Sequence, residues 1–216
     1  MNPKGRPGGE CRNAQREGSP ASAPIPERHM PLAPSPWVVR FGHLIAPGAR
    51  VLDLAAGSGR HARYLASRGA RVLAVDRDAD ALASLAGVPG VQTRVCDLEK
   101  GVWPLAGERF DAIVVVNYLH RPQFAHLRAA LAVDGALLYE TFAQGNEMFG
   151  RPANPDFLLC PDELLTLARL PPAPLQIVAF EQGTVDDGTR CAVVQRIAAV
   201  GGGRTWPPAL TAAASG

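Results

Sequence analysis

The stretch VLDLAAGSGRHARYLA, residues 51–66, sets an acid, Asp53, inside an apolar strand-like run that leads into a glycine-rich turn. A carboxylate buried in a strand costs on the order of several kcal/mol unless something pairs with it, so Asp53 demands a partner. Gly57 and Gly59 remove side chains where a backbone must approach a ligand, and the helix that follows aims its first amides the same way. Asp76 ends the next apolar segment and is suited to accept both hydrogens of a ribose diol. Asp97 follows the third segment in VCDLE, and NYLHRP, residues 117–122, follows the fourth. In a parallel sheet these positions share the edge at which ligands bind, so together they outline a nucleoside-shaped pocket.

Next to that pocket lie candidates for chemistry on a second substrate. Tyr118, His120 and Arg121 follow the fourth segment, and His120 has the near-neutral reference pKa of a general base. Its alternative is to cap or pack the helix that starts at Arg121 and Pro122. Residues 143–160, AQGNEMFGRPANPDFLLC, exceed an ordinary connector and read as a lid or binding segment. Met148, Phe149 and Phe157 would form its apolar underside, with Glu140, Asn146, Glu147 and Arg151 supplying polarity. A proline-rich strap on the sheet edge is the competing reading.

The elements that must hold these residues alternate. Residues 50–54, 71–75, 91–95, 111–116 and 135–140 read as strands bounded by Gly, Pro or Asp. Between them run helical spacings: Ala62, Leu65 and Ala66 on one face, and Phe124, Leu127 and Leu131 on another. Asp76 and Asp78 are both eligible caps for the helix in RDADALASL. Alternation of this kind implies a doubly wound α/β sheet with right-handed crossovers. After a helix in PDELLTLARL, the segments PLQIVAFEQ and TRCAVVQRIA flank the turn-rich GTVDDG, a hairpin signal that makes the sheet's end antiparallel. The expected architecture is therefore a seven-stranded, mostly parallel sheet with an antiparallel C-terminal hairpin.

The motif GSGRHA also satisfies G-x-G-x-x-A, close to a dinucleotide fingerprint. In that alignment the first glycine falls on Ala55 and the third on Arg60, which would crowd the helix against the sheet. An acid within the strand would also repel a pyrophosphate. Over residues 36–197 the sequence instead resembles the class I S-adenosylmethionine-dependent methyltransferases, whose first motif, commonly V-L-D-x-G-x-G-x-G, is similar to VLDLAAGSGR. Ala55 departs from that motif at its first glycine. The resemblance implies a Rossmann-like methyltransferase fold, S-adenosyl-L-methionine as cofactor and no metal. It implies that Asp53 meets the cofactor's cationic amino-acid end and that Ala55, Gly57 and Gly59 form the turn against it. Asp76 would hold the ribose hydroxyls with Arg77 beside it, Asp97 and Leu98 would flank adenine, and Asn117 would lie by the methionine portion. NYLHRPQF and YETFAQGNEMFGRPANPDFLL are similar, more narrowly, to a small bacterial group near the tellurite-resistance methyltransferases.

Composition bounds the rest. Residues 37–200 carry sixteen basic against seventeen acidic residues, so the body lacks the excess positive charge of a nucleic-acid binder. The N-P-P-Y pattern used on amino groups is replaced by NYLH. Four scattered cysteines, Cys11, Cys96, Cys160 and Cys191, indicate neither zinc nor a disulfide framework, and no apolar run approaches the roughly 18 residues of a membrane span. A soluble cytoplasmic protein is expected. Residues 1–36 and 201–216, rich in Pro, Gly and Ser, are expected to be disordered around a methyltransferase domain at 37–200, and Met30 is a second candidate translation start. The expected activity is in-line methyl transfer to a small-molecule acceptor. The rivals are an RNA methyltransferase using the arginine-bearing N-terminal arm, an NAD(P)-dependent oxidoreductase, and a non-catalytic cofactor-binding protein.

Overall fold

Strands and helices alternate along most of the chain, but no helix separates the strand that ends at Val95 from the one that starts at Phe110. The computed structural model describes residues 33–186, 188, 191–205, 207, 208 and 210. The expectations for residues 1–32, and most of those for 206–216, lie outside the described residues.

Seven strands, β1 (Arg50–Leu54), β2 (Arg71–Asp76), β3 (Val91–Val95), β4 (Phe110–Val116), β5 (Leu131–Phe142), β6 (Gln176–Asp186) and β7 (Cys191–Val200), form one sheet in the order β3-β2-β1-β4-β5-β7-β6. The first five are parallel; β7 runs antiparallel to both β5 and β6. Helices α1 (Pro36–Phe41), α2 (Arg60–Ser67) and α3 (Ala79–Ala83) cover one face, and α4 (Phe124–Ala130) and α5 (Glu163–Ala168) cover the other.

The period-2 alternation of strand side chains decides which face each residue feeds. Leu52, Leu54, Ile113, Val115, Leu137 and Tyr139 pack against Phe124, Leu127, Leu164 and Leu167. Val51, Val72, Ala74, Val114 and Leu138 pack against Trp37, Phe41, Leu65 and Leu82. Asp53 shares the parity of Val51, so it faces the α1–α3 layer. This is why it is 1% exposed rather than open at the strand tip.

Several boundaries differ from the sequence reading. Leu131, assigned by periodicity to a helix face, is the first residue of β5 and pairs with Phe110. Its leucine spacing suits the helix, but the sheet offers a neighbouring strand that satisfies its backbone. In β6, Gly183 to Asp186 belong to the strand, so the connection to β7 is shorter than GTVDDG; Gly183 takes φ 144°, a conformation glycine alone adopts readily. At the N-terminal side, Ser35 is buried and caps α1 through Trp37, with Pro36 at the first helical position. Beyond β7, Gly201 and Gly203 continue to donate backbone hydrogen bonds to Gly135 and Val133.

Candidate functional site

The parallel strands end together, and the turns after them carry most of the residues singled out by the sequence. Beyond β1, Ala55 takes φ 54°, Gly57 φ 53° and Gly59 φ 75°, so the chain turns sharply before α2. At Gly57 a Cβ would meet nothing within 4 Å, which leaves the turn's backbone open to a ligand, whereas at Gly59 a Cβ would strike Leu85 at 2.4 Å. The first glycine gives access; the second lets α2 sit close to the end of α3 and its following turn.

Asp76 braces this turn from β2. One carboxylate oxygen accepts from the Gly57 N–H at 2.7 Å and the other from the Asp78 N–H at 3.0 Å. Asp78 is the residue that caps α3, by accepting from Ala81, and Asp76 is thereby left at the strand tip. After β3, Asp97 accepts from the Glu99 N–H at 2.9 Å, which holds its carboxyl below the usual range, with Lys100 assisting at 3.3 Å. The Leu98 carbonyl is fixed by Gln123 Nε2 at 2.7 Å. After β4, Asn117 takes φ 59° and donates its N–H to the Glu140 carbonyl.

Seven of the expected residues, Ala55, Asp76, Arg77, Asp97, Leu98, Asn117 and Tyr118, line one cavity of about 260 Å³ together with Glu99. Glu99 was not anticipated as a site residue, although it follows Leu98 in VCDLE. The Tyr118 hydroxyl is buried without a hydrogen-bond partner among the described residues, and burial pushes its pKa up. A second cavity, of about 570 Å³, is lined by Phe142, Arg151, Pro152, Ala153, Asn154 and Phe157. It shares Asn117 with the first. Pro152, Ala153 and Asn154 carried no chemical signal in the sequence beyond their place in the long loop.

Asp53 lies beneath the turn and outside the cavity lining. Its Oδ2 has no hydrogen-bond partner among the described residues, and burial pushes its pKa up to about 7 against the pull of the Ala62 backbone N–H and of Arg60. Arg60 thus influences Asp53 without forming an ion pair with it; its own guanidinium donates to the Ala33 carbonyl. Nearby, Ser35 donates its N–H to His61 Nε2 at 3.2 Å and its hydroxyl to Glu140 Oε2 at 2.9 Å. Burial lowers the His61 pKa to about 3, so the ring is a neutral acceptor. No motif pointed to this network, because its three members lie in three separate elements.

The acceptor-side expectations fare differently. His120 precedes the 3₁₀ turn Arg121–Gln123, makes no side-chain cap bond and lines neither cavity. Arg121 does not face the cavities: it forks onto Glu163 at 2.6 and 2.9 Å and donates to the carbonyls of Asp156 and Leu158. It fastens the long loop instead. Asn146, 1% exposed, fastens the same loop from within, donating to the Pro152 carbonyl and accepting from the Val193 N–H. The loop's buried apolar residues are Ala143, Leu158 and Leu159, whereas Met148 and Phe149 are exposed, which corrects the expected underside. Phe157, half-exposed, lines the second cavity.

The methyltransferase domain family matches residues 51–135. Protein-L-isoaspartate O-methyltransferase 1 of Rhodopseudomonas palustris is 35% identical over 127 residues, which are 54% of this chain and 50% of that protein, so the chain spans about half of it. Among solved structures, TehB from Haemophilus influenzae superposes with a TM-score of 0.63 at 20% identity, over 76% of this chain and 61% of that one. Burkholderia thailandensis 1,6-didemethyltoxoflavin-N1-methyltransferase, solved with 1,6-didemethyltoxoflavin and S-adenosylhomocysteine, superposes with a TM-score of 0.57 at 25% identity over 76% of each chain. The fold is the Rossmann-like methyltransferase fold.

Proposed function

We propose that this chain, whose residues 51–135 are a methyltransferase domain, transfers the methyl group of S-adenosyl-L-methionine to a small-molecule acceptor. The observation that carries the reading is Asn117, one residue in the wall of two cavities, the first rimmed by carboxylates and the second by phenyl rings. A ligand in each would meet at Asn117.

The residues present fit the cofactor. Asp76 and Asp97 offer carboxylate acceptors for ribose hydroxyls and an adenine amine, Leu98 and Tyr118 offer apolar surface, and Arg77 and Glu99 close the rim. The orphaned Oδ2 of Asp53, under an open glycine turn, suits a cationic amino group reached directly or through water. When bound, the sulfonium supplies the methyl and the leaving group.

This chain's task is then to orient an acceptor lone pair along one line with the methyl. Positioning of that kind is worth roughly 7–11 kcal/mol of barrier. Among the described residues lining the second cavity there is no His, Asp or Glu, a lining that favours an acceptor needing no base from it. The acceptor therefore brings its own free lone pair, as a soft anion or an aromatic ring nitrogen does. His120 receives no proton in this scheme.

Calorimetric titration with S-adenosyl-L-methionine tests the first half, and incubation of methyl-labelled cofactor with fractionated metabolites tests the second. We expect binding that Asp76→Ala weakens at least about tenfold, a loss of roughly 1.4 kcal/mol, and label in a small molecule. Unaltered affinity in Asp76→Ala overturns the ribose assignment. Label confined to RNA or protein overturns the acceptor class.

A further inference from the structure

At the opposite end of the sheet, about 780 Å³ of space opens between the start of β5, the residues after β7 and the connection from α5 to β6. Its walls are largely apolar, from Leu131, Val133, Pro174 and Leu175. Among the described residues that line it the charged ones are Arg109 and Arg128, and no carboxylate is among them.

Arg128, on α4, is 3% exposed. One terminal nitrogen donates to the Ala173 carbonyl at 2.6 Å, but Nε has no hydrogen-bond partner among the described residues. Burial holds its pKa below the ordinary value, with no carboxylate offsetting the penalty. Arg109 donates to the Ala129 carbonyl. A buried cation with carbonyls alone for company carries an uncompensated desolvation cost, and a fork of guanidinium donors is matched best by a carboxylate or a similar oxyanion. An apolar methionine at position 128 would fill the same space without that cost.

We propose that this bay is a second ligand site, for an amphiphilic monoanion whose carboxylate pairs with Arg128 and whose apolar body lies along Leu131, Val133 and Pro174. It is independent of methyl transfer, since it lies at the far ends of the strands from Asn117.

Decanoate is the probe, titrated into the full chain and followed by calorimetry and by backbone amide NMR. We expect one equivalent to bind saturably and to shift the amides of Val133, Ala173 and Gly202 while leaving Gly57 and Asn117 in place. Decan-1-ol should bind at least about tenfold more weakly, and Arg128→Met should weaken decanoate by a similar factor while the melting temperature is kept or raised. Because Arg128 also fastens the 172–175 connection, Ala173→Trp serves as a second variant: it fills the bay from an exposed position, leaves the guanidinium intact, and should abolish decanoate binding. Equal binding of acid and alcohol, decanoate affinity that survives both variants, shifts centred on Asn117, or no binding at millimolar decanoate each overturn the proposal.

Discussion

Ala55 and Asn117 hold left-handed backbone at the tips of β1 and β4, where an L-residue pays roughly 1–2 kcal/mol. Asparagine tolerates that region; alanine does not. Replacing Ala55 by glycine relieves the strain at an entropic cost of about 0.5–1 kcal/mol, so we expect Ala55→Gly to be neutral or to stabilise by up to about 1 kcal/mol in urea unfolding. Gly59→Ala runs the other way, since its new methyl strikes Leu85 on top of a φ of 75°, and should cost about 1–3 kcal/mol by the same measurement. Acids and glycines at strand ends were legible because their chemistry is unusual for their setting. Asp76, Asp97 and Asn117 accordingly fall where the sequence placed them. His61 and Ser35 were not, because a neutral histidine accepting one backbone N–H has the same letter as a catalytic one, and Glu140, read as polarity for the long segment, bonds to Ser35 instead.

The Arg121–Glu163 ion pair and the buried amides of Asn146 and Gln195 all fasten the long loop after β5. Arg121 and Glu163 are partly buried, and their fork also satisfies the Asp156 and Leu158 carbonyls and the Cys160 N–H. Arg121→Ala leaves several of these groups unpaired at once and should cost about 1–3 kcal/mol in thermal unfolding. On the proposed reading it also raises KM for the acceptor, because Phe157 and Asn154 lie on the released loop, while cofactor affinity changes less than about twofold. Strand identity was readable from β-branched runs such as DAIVVV, and the hairpin from its turn residues. What periodicity could not supply was the end of α4: Leu127 and Leu131 suit a helix, and only the neighbouring Phe110 makes Leu131 a strand residue. Arg121 was misjudged for a related reason, since its partner lies 42 positions away.

Stability against pH is a property of the whole molecule, and two buried groups pull it in opposite directions. Asp53 has a folded pKa of about 7 against an ordinary 3.8, so between those values the folded chain keeps a proton the unfolded chain has released, and stability falls as pH rises. His61 has a folded pKa of about 3 against an ordinary 6.5, so over most of the same window the unfolded chain holds the extra proton and stability rises. The slopes oppose one another between about pH 4 and 6.5. Asp53→Asn removes the falling component, and its melting temperature should gain on the parent's steadily from pH 4 to 7; His61→Asn should lose ground over pH 4 to 6.5. A melting-temperature series across that range, read as differences from the parent, checks both. Bound S-adenosyl-L-methionine should shrink the Asp53→Asn advantage at pH 7, because its ammonium favours the ionised acid.

The sheet order has a consequence for how the molecule is made. β7 follows β6 in the sequence but lies between β5 and β6 in the sheet. On a ribosome, therefore, β5 and β6 must wait with unpaired edges until residues 191–200 emerge, and no nascent fragment ending before them has a closed hydrogen-bond ladder. A chain clipped upstream of Cys191 lacks the strand that joins β5 to β6 and leaves those two edges open to its neighbours.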